Sequence, residues 1–443
     1  MSTRSLALVP SLLTALMLLA AGCGDSDEPA PAATSENSNP ARQAEDAART
    51  EAGQKATALV EASIELIREQ KVNEALEKLN LAIETDRECA EAFFQRAGIL
   101  ADAQQDQLAL NDYSRAVELA PAEVRYHNMR GLFLLTRKQL DTALTDFSTA
   151  IEIDPKYVQA WNNRGLVRLA ENKYAEAVND FNNAIQIDPS YADGYNNRGF
   201  AWYQQGVNDK ALADFDRTIE LNPEYVNAYN NRGMLFMREK QFDQAIQDFS
   251  TAITLDEVNI KHWQNRRAAY EKLGRTELAE ADAEHMKWLL QLGRLNVTVA
   301  RYPQVPDAYI LRANHFADGG KTDIALSNFE RAIEVAPESA AGFVGRAEWW
   351  FNQQQYEKAI EDCTAALAKE PSHKALTIRG DAWFHLGRYD EAINDFTTAR
   401  RLDDTVAEAY FRRAKLREQA GDAAGAQSDY AMGQRLQVGI GGE

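Results

Sequence analysis

The hexapeptide AWNNRG occupies residues 160–165, and close copies of it, GYNNRG and AYNNRG, occupy residues 194–199 and 228–233. Each copy begins 34 residues after the previous one. A fixed period of this size indicates an array in which similar structural units stack on one another. The same period divides the chain from residue 58 onwards, and after a longer spacer it resumes at residue 308.

Every unit contains two segments whose apolar residues recur with the period of an α-helix, separated by a short break. One alanine recurs in each second segment, and a large ring or a leucine usually follows it by four residues. Gly, Ala or Ser recurs in the first segment, where it accepts a bulky neighbour. Because glycine inside a helix costs about 1 kcal/mol relative to alanine, close helix packing has to compensate.

This pattern resembles the tetratricopeptide repeat (TPR) family, whose helix–turn–helix unit has the same length. The resemblance implies an all-α fold, a right-handed α-solenoid of about eleven repeats whose first helices line a concave groove. It covers most of the chain. In the unit that begins at residue 160, the matching residues are Trp161, Gly165, Tyr174, Ala177, Phe181, Ala184 and Pro189.

One interruption divides the predicted array. The seventh unit, 262–295, has Arg267 in place of the small residue and Ala283 in place of the ring. The next twelve residues, 296–307, add two prolines. We therefore expect the superhelix to break near this insert. The prediction is an N-terminal lobe of seven repeats, 58–295, whose last repeat is degenerate, and a C-terminal lobe of four repeats, 308–443.

The first 22 residues have a basic residue, an apolar run and small residues, in the layout of a secretory signal peptide. The ending LAAGC, with Cys23 last, resembles a bacterial lipobox. This resemblance implies cleavage before Cys23 and lipidation of Cys23, whereas a transmembrane anchor or a chance cysteine is the alternative. Gly24 favours the periplasmic face of the outer membrane. Residues 23–50 are rich in Pro, Ala, Ser and acidic groups, so we expect a flexible tether.

Ten of the eleven units carry an arginine at one position of the first helix, and the first unit does not. Nine of those ten have an aspartate sixteen residues later, and the tenth has Asn328. The first unit lacks both groups, with Ala62 and Lys78 instead. Because the arginine and the aspartate are missing together from the same unit, we expect them to form an ion pair within each of the other units. We therefore interpret these residues as part of the scaffold.

Asparagines precede that arginine. The outer position holds Asn128, Asn162, Asn196 and Asn230, and the inner position holds Asn163, Asn197, Asn231 and Asn265. An amide offers both donor and acceptor, which suits the unpaired main chain of an extended peptide. The row resembles the asparagine ladder of the TPR segment of nucleocytoplasmic O-linked N-acetylglucosamine transferase. The alternative is that the amides bond to adjacent helices and are purely structural.

Apolar groups follow the inner position by three and six residues and would form pockets beside the ladder. The predicted peptide-binding groove therefore also includes Phe200, Tyr203, Met234 and Met237. In the C-terminal lobe, Glu348 and Asp381 occupy groove positions, so that part of the groove is suited to a basic peptide.

The remaining composition excludes several classes of function. A formal net charge of −19 argues against nucleic acid as a partner. Three cysteines and six histidines form no metal-binding or catalytic motif, so we predict no enzyme activity, catalytic residue, cofactor or metal. We expect a membrane-anchored scaffold that recruits other envelope proteins or peptides. The alternative is an assembly factor for secretion, pilus or outer-membrane biogenesis, and self-association remains open.

Overall fold

The computed structural model describes residues 40–440, which contain twenty-two α-helices and no β-strand. The first half comprises α1 Pro40–Arg68, α2 Val72–Thr85, α3 Ala90–Asp102, α4 Asp106–Leu119, α5 Val124–Thr136, α6 Leu140–Ile153, α7 Val158–Ala170, α8 Tyr174–Ile187, α9 Ala192–Gln205, α10 Asn208–Leu221 and α11 Val226–Arg238. The second half comprises α12 Phe242–Leu255, α13 Ile260–Lys272, α14 Thr276–Arg301, α15 Pro306–Asp318, α16 Thr322–Val335, α17 Ala340–Asn352, α18 Tyr356–Lys369, α19 His373–His385, α20 Tyr389–Thr398, α21 Asp404–Gln419 and α22 Ala423–Ile440.

The chain forms two compact units, each containing several repeats. From here on, Met1–Ala279 is called the first unit and Glu280–Glu443 the second unit, and they divide within the first turn of α14. This division lies earlier in the chain than the predicted lobe boundary. Helix α14 continues as far as Arg301, so the first half of the predicted insert 296–307 is helical, and α15 starts at Pro306. Helix α1 begins at Pro40, so the end of the predicted tether 23–50 is helical as well. The predicted signal peptide and Cys23 lie outside the described residues.

Odd-numbered helices are the first helices of the repeats and even-numbered helices are the second helices. Within each unit, every first helix packs on the second helix that follows it, and first helices of adjoining repeats also contact each other. We call the surface formed by adjoining first helices the first-helix face. The prediction of an all-α solenoid built from helix pairs is confirmed.

The two helices of a repeat approach closely because a ring of the second helix lies directly on a glycine of the first. A Cβ atom added to Gly165 would lie 2.5 Å from Phe181 Cε1, and one added to Gly233 would lie 2.6 Å from Phe249 Cε1. Both rings are fully buried. Any larger side chain would overlap the ring, so glycine is required here by close approach and not by an unusual backbone angle.

The turn between the helices of a repeat is equally regular. After α7, Asn172 adopts a left-handed conformation (φ 63°), and Lys240 does the same after α11 (φ 63°). The amide of Lys173 then donates to the carbonyl of Arg168 at 2.8 Å, which satisfies a carbonyl that the helix end leaves unpaired. The equivalent turn after α9 uses Gly206 (φ 78°).

In eight repeats the recurring arginine and aspartate pair within the repeat, as the sequence predicts. In α7, Arg164 donates to Asp180 of α8 through Nε at 3.2 Å and Nη2 at 2.8 Å. The same two-pronged bond joins Arg96 to Asp112, Arg130 to Asp146, Arg198 to Asp214, Arg232 to Asp248, Arg346 to Asp362, Arg379 to Asp395 and Arg413 to Asp429. Arg312 donates through Nε to Asn328 instead.

These arginines also make a third bond, which the sequence pattern does not predict. The remaining nitrogen, Nη1, donates backward to a short polar side chain of the preceding repeat: Arg198 reaches Asn182 at 2.7 Å and Arg232 reaches Asp216 at 2.6 Å. Both acceptors directly follow the buried ring of their own second helix. One guanidinium therefore joins the two helices of its own repeat and ties that repeat to the previous one, a geometry that the planar fork of arginine permits.

Replacement of Asp180 by alanine is predicted to destabilise the array. The Asp180 side chain is 1% exposed and also receives Arg168 at 2.8 Å, so its loss leaves two guanidinium groups without their acceptor. Removal of one partner of a buried pair costs about 3–5 kcal/mol. Because both arginines keep some contact with water, we expect a loss of about 2–3 kcal/mol. Urea denaturation followed by circular dichroism measures it.

Glu176→Ala is the matched control, because Glu176 contacts Arg168 at 3.5 Å but is largely exposed. Exposed pairs contribute at most about 1 kcal/mol. Equal stability of Asp180→Ala and the wild type would show that the pair is not structural.

Candidate functional site

The eight asparagines predicted to bind peptide form a hydrogen-bonded amide column between neighbouring first helices in the first unit. Each inner asparagine donates from Nδ2 to Oδ1 of the outer asparagine of the preceding repeat. The distances are 3.0 Å from Asn163 to Asn128, 2.9 Å from Asn197 to Asn162, 2.9 Å from Asn231 to Asn196 and 2.8 Å from Asn265 to Asn230.

Further bonds within single repeats link six of these eight amides into one chain. Asn162 Nδ2 donates to Asn163 Oδ1 at 3.3 Å, and Asn196 Nδ2 donates to Asn197 Oδ1 at 3.2 Å. Six amides from Asn128 to Asn231 are thus linked in one chain of alternating donors and acceptors. Such chains are cooperative, because each bond polarises the next one.

The residues at both ends of the column explain why it stops there. In α5 the inner position, which would continue the column beyond Asn128, holds Met129, a buried side chain without an amide. At the other end, Nδ1 of His262 lies 3.3 Å from Asn230 Oδ1, a geometry in which Nδ1–H is the donor. Burial lowers the pKa of His262, so its ring is neutral and complements the uncharged column.

Seven of the eight asparagines are buried, from 2% exposed for Asn196 to 9% for Asn163 and Asn231. Only Asn265 is half-buried. Amides that are buried and bonded to each other have little left to offer a main chain, since each column bond uses one donor and one acceptor. This geometry favours the alternative that the amides hold adjacent first helices together.

The four predicted apolar groove residues remain partly accessible. Phe200 and Tyr203 of α9 and Met234 and Met237 of α11 are all half-buried. The rings of Phe200 and Tyr203 stack with centroids 6.2 Å apart, and the Arg238 guanidinium lies 3.4 Å from the Tyr203 centroid. Each of the four residues packs on a core cluster and keeps part of its side chain accessible, and Arg238 covers part of the Tyr203 ring.

The second unit differs because its asparagine positions hold other residues. Ile310 and Leu311 occupy them in α15, and Val344 and Gly345 occupy them in α17. Here the first-helix face contains an open cavity of about 310 Å³. Ile310, Val344 and Gly345 are among the residues that line it. None of these four residues carries a side-chain amide, so no hydrogen-bonded column joins α15 to α17, and the cavity lies between these two helices.

The acidic residues singled out in the second unit both have partners. Glu348 lies at the rim of this cavity and accepts from Lys374 Nζ at 2.6 Å. Asp381 accepts from Arg401 at 2.7 Å, and Arg401 also contacts Asp403. Burial raises the pKa of Asp381 despite that arginine. Glu348 is therefore the more accessible carboxylate, with 44% of its side chain exposed.

Within residues 40–440, no group of three or more His, Cys, Asp or Glu side chains is arranged to hold a metal ion. The same part of the chain has no helix that is both long and apolar enough to cross a membrane. Cys363 is buried in the core of the second unit, and burial raises the pKa of its thiol to about 12.

Comparison with known families matches the repeats directly. A family model described as TPR repeat matches residues 134–170 and 167–206. Two models described as tetratricopeptide repeat match residues 226–259 and residues 310–374, 351–405 and 379–432. Together these ranges cover about half of the chain. No curated protein sequence matches the chain significantly.

Solved structures with a similar fold include PilF of Pseudomonas aeruginosa, at 19% identity over 49% of this chain and 97% of that one, with a TM-score of 0.43. PilW, described as a widely conserved type IV pilus biogenesis factor, is 21% identical over 45% of this chain and 92% of its own, with a TM-score of 0.42. YrrB, described as a TPR protein with an unusual peptide-binding site, is 18% identical over 43% of this chain and 97% of its own, with a TM-score of 0.35.

Asn197→Ala is predicted to lower the stability of the first unit by about 1–3 kcal/mol, because Asn162 Oδ1 and Asn196 Nδ2 would lose their partners inside the protein. The measurement is the urea midpoint, with Asn227→Ala as control. Asn227 is half-buried on α11 and outside the column. Unchanged stability of Asn197→Ala, combined with lost partner binding, would instead identify the amides as ligand-binding groups.

Proposed function

Because the chain belongs to the tetratricopeptide-repeat proteins, we propose that it is a non-enzymatic scaffold for protein–protein interaction. It is anchored to a bacterial membrane through lipid on Cys23, and it binds extended segments of other envelope proteins on its first-helix face. In this way it recruits or positions those proteins at the periplasmic face of the outer membrane.

One observation carries the binding part of the proposal. Phe200, Tyr203, Met234 and Met237 expose apolar surface on adjoining first helices, next to a wall of amides whose hydrogen bonds are already made. A rigid wall limits the ordering that binding would otherwise require. Methionine side chains adapt to ligands of different shape, so this surface is suited to more than one partner.

The amide column has a supporting role in this proposal. It fixes the spacing of α7, α9 and α11, and with it the spacing of the apolar groups that contact the ligand. Affinity then comes from side-chain pockets, and contacts between the amides and the main chain of the peptide contribute little.

The anchoring part rests on the residues around Cys23. The small residue Gly22 before the cysteine is what a signal peptidase of the lipobox type requires. Two or three acyl chains on one cysteine would hold the protein firmly, since a single chain gives only marginal binding. The acidic segment that follows contains almost no large apolar side chain and separates the repeats from the bilayer.

Site-specific photo-crosslinking in living cells tests the binding surface. A benzophenone amino acid replaces Tyr203 or Met237 on the first-helix face, and in the control it replaces Gln247, which is exposed on the second helix α12. We expect adducts with the same partner proteins from positions 203 and 237 and none from position 247. Equal adducts from all three positions, or none from the first two, would contradict the proposal.

Metabolic labelling with palmitate tests the anchor. We expect the label and membrane association to be lost in Cys23→Ser and retained in Cys89→Ser, since Cys89 lies half-buried among the repeats. A sucrose gradient then places the labelled protein in the inner or the outer membrane. Label that persists in Cys23→Ser would rule out lipidation at this residue.

A further inference from the structure

We propose that the cavity between α15 and α17 of the second unit binds a lysine or arginine side chain of an extended peptide. This inference rests on the proposed function, because it names the chemistry of the segment that the first-helix face takes up. It uses residues that lie outside the amide column and outside the apolar surface of the first unit.

The cavity has an apolar floor and a charged rim. Its volume of about 310 Å³ lies at the lower end of the range of ligand pockets, roughly 300–1,000 Å³. It therefore suits one or two side chains better than a folded element. Ile310 and Val344 provide apolar surface on the floor, and Gly345 adds no side chain. The methylene stem of lysine or arginine packs well on such a surface while its charged end stays at the rim.

The charge at the rim favours a cation. Asp307, Glu348 and Glu370 line the cavity, whereas Lys374 is its only basic lining residue among the described part of the chain. Within residues 40–440, neither Asp307 nor Glu370 has an ion-pair partner, although the amide of Ala340 donates to Glu370 at 3.3 Å. Three carboxylates and one ammonium group leave a net negative site.

Lys374 shows how such a cation would be held. Its Nζ lies 2.6 Å from Glu348 Oε2, so an ammonium group of the protein itself already occupies one carboxylate of the rim. Both side chains are about half exposed, at 57% and 44%, and the bond between them is correspondingly weak. A cation from a peptide can therefore displace Lys374, and Lys374 acts as a competitor for the site.

Fluorescence anisotropy with the full-length chain at physiological salt tests the inference. The probe is a fluorescein-labelled peptide of seven residues in which three lysines alternate with glycines, and matched peptides carry glutamine or glutamate in place of lysine. We expect the lysine peptide to bind best. The affinity of the chain for the lysine peptide should fall on the order of tenfold in the double variant Asp307→Asn/Glu348→Gln, because each substitution removes a negative charge and keeps the shape of the side chain.

Lys374→Ala distinguishes a cation site from an anion site. If the ligand is a cation, this variant removes the competitor and raises affinity for the lysine peptide about two- to fivefold. Glu357→Gln/Glu361→Gln is the matched control, since it removes two exposed carboxylates of α18 that do not line the cavity.

Three results would overturn the inference: equal affinity of the lysine peptide for both double variants, preference for the glutamate peptide with loss of binding in Lys374→Ala, or no binding of the lysine peptide. None of them affects the proposed function, which the crosslinks from positions 203 and 237 test independently.

Discussion

The arginine carried by ten of the eleven first helices makes the interactions on which the array depends. Arg232 illustrates them: Nε and Nη2 bond to Asp248 of its own repeat, and Nη1 bonds to Asp216 of the repeat before. The ring of Tyr229 lies 5.8 Å from the guanidinium carbon and adds a cation–π contact. No repeat can bury its apolar face alone, so the same side chain that closes a repeat also helps to attach it to its neighbour.

The amide column serves the same purpose with uncharged groups. It lies between first helices of neighbouring repeats, where seven of its eight asparagines are buried. Uncharged amides avoid the large desolvation penalty that charges would incur at this depth. Because the amides bond to each other, the proposed function assigns peptide binding to Phe200, Tyr203, Met234 and Met237 and not to the asparagines.

The second unit uses the same scaffold differently. Where the column positions hold Ile310, Val344 and Gly345, no amide fills the space, and an open cavity with acidic residues at its rim takes its place. A change at two positions of a repeat thus replaces a hydrogen-bonded contact between helices with an open cavity. Arrays built from one motif can diversify in this way and keep their arginine–aspartate bonds. Beside the cavity, Arg346 is still bonded to Asp362.

The sequence by itself determined the helices, their pairing and the bond between arginine and aspartate, because each of these repeats with the period of the chain. A glycine and a phenylalanine, such as Gly165 and Phe181, recur sixteen residues apart in five of the eleven repeats, and only helix pairs in contact make that spacing useful. The acceptor of the backward bond, Asn182, can be recognised in the sequence as a short polar residue after the ring. Nothing within one repeat indicates that the arginine of the next repeat donates to it. Only the tertiary structure decided where the amides point. An asparagine on a helix can bond equally well to a ligand, to water or to another helix, and the choice is made by the distance between helices from different repeats, which no single repeat encodes.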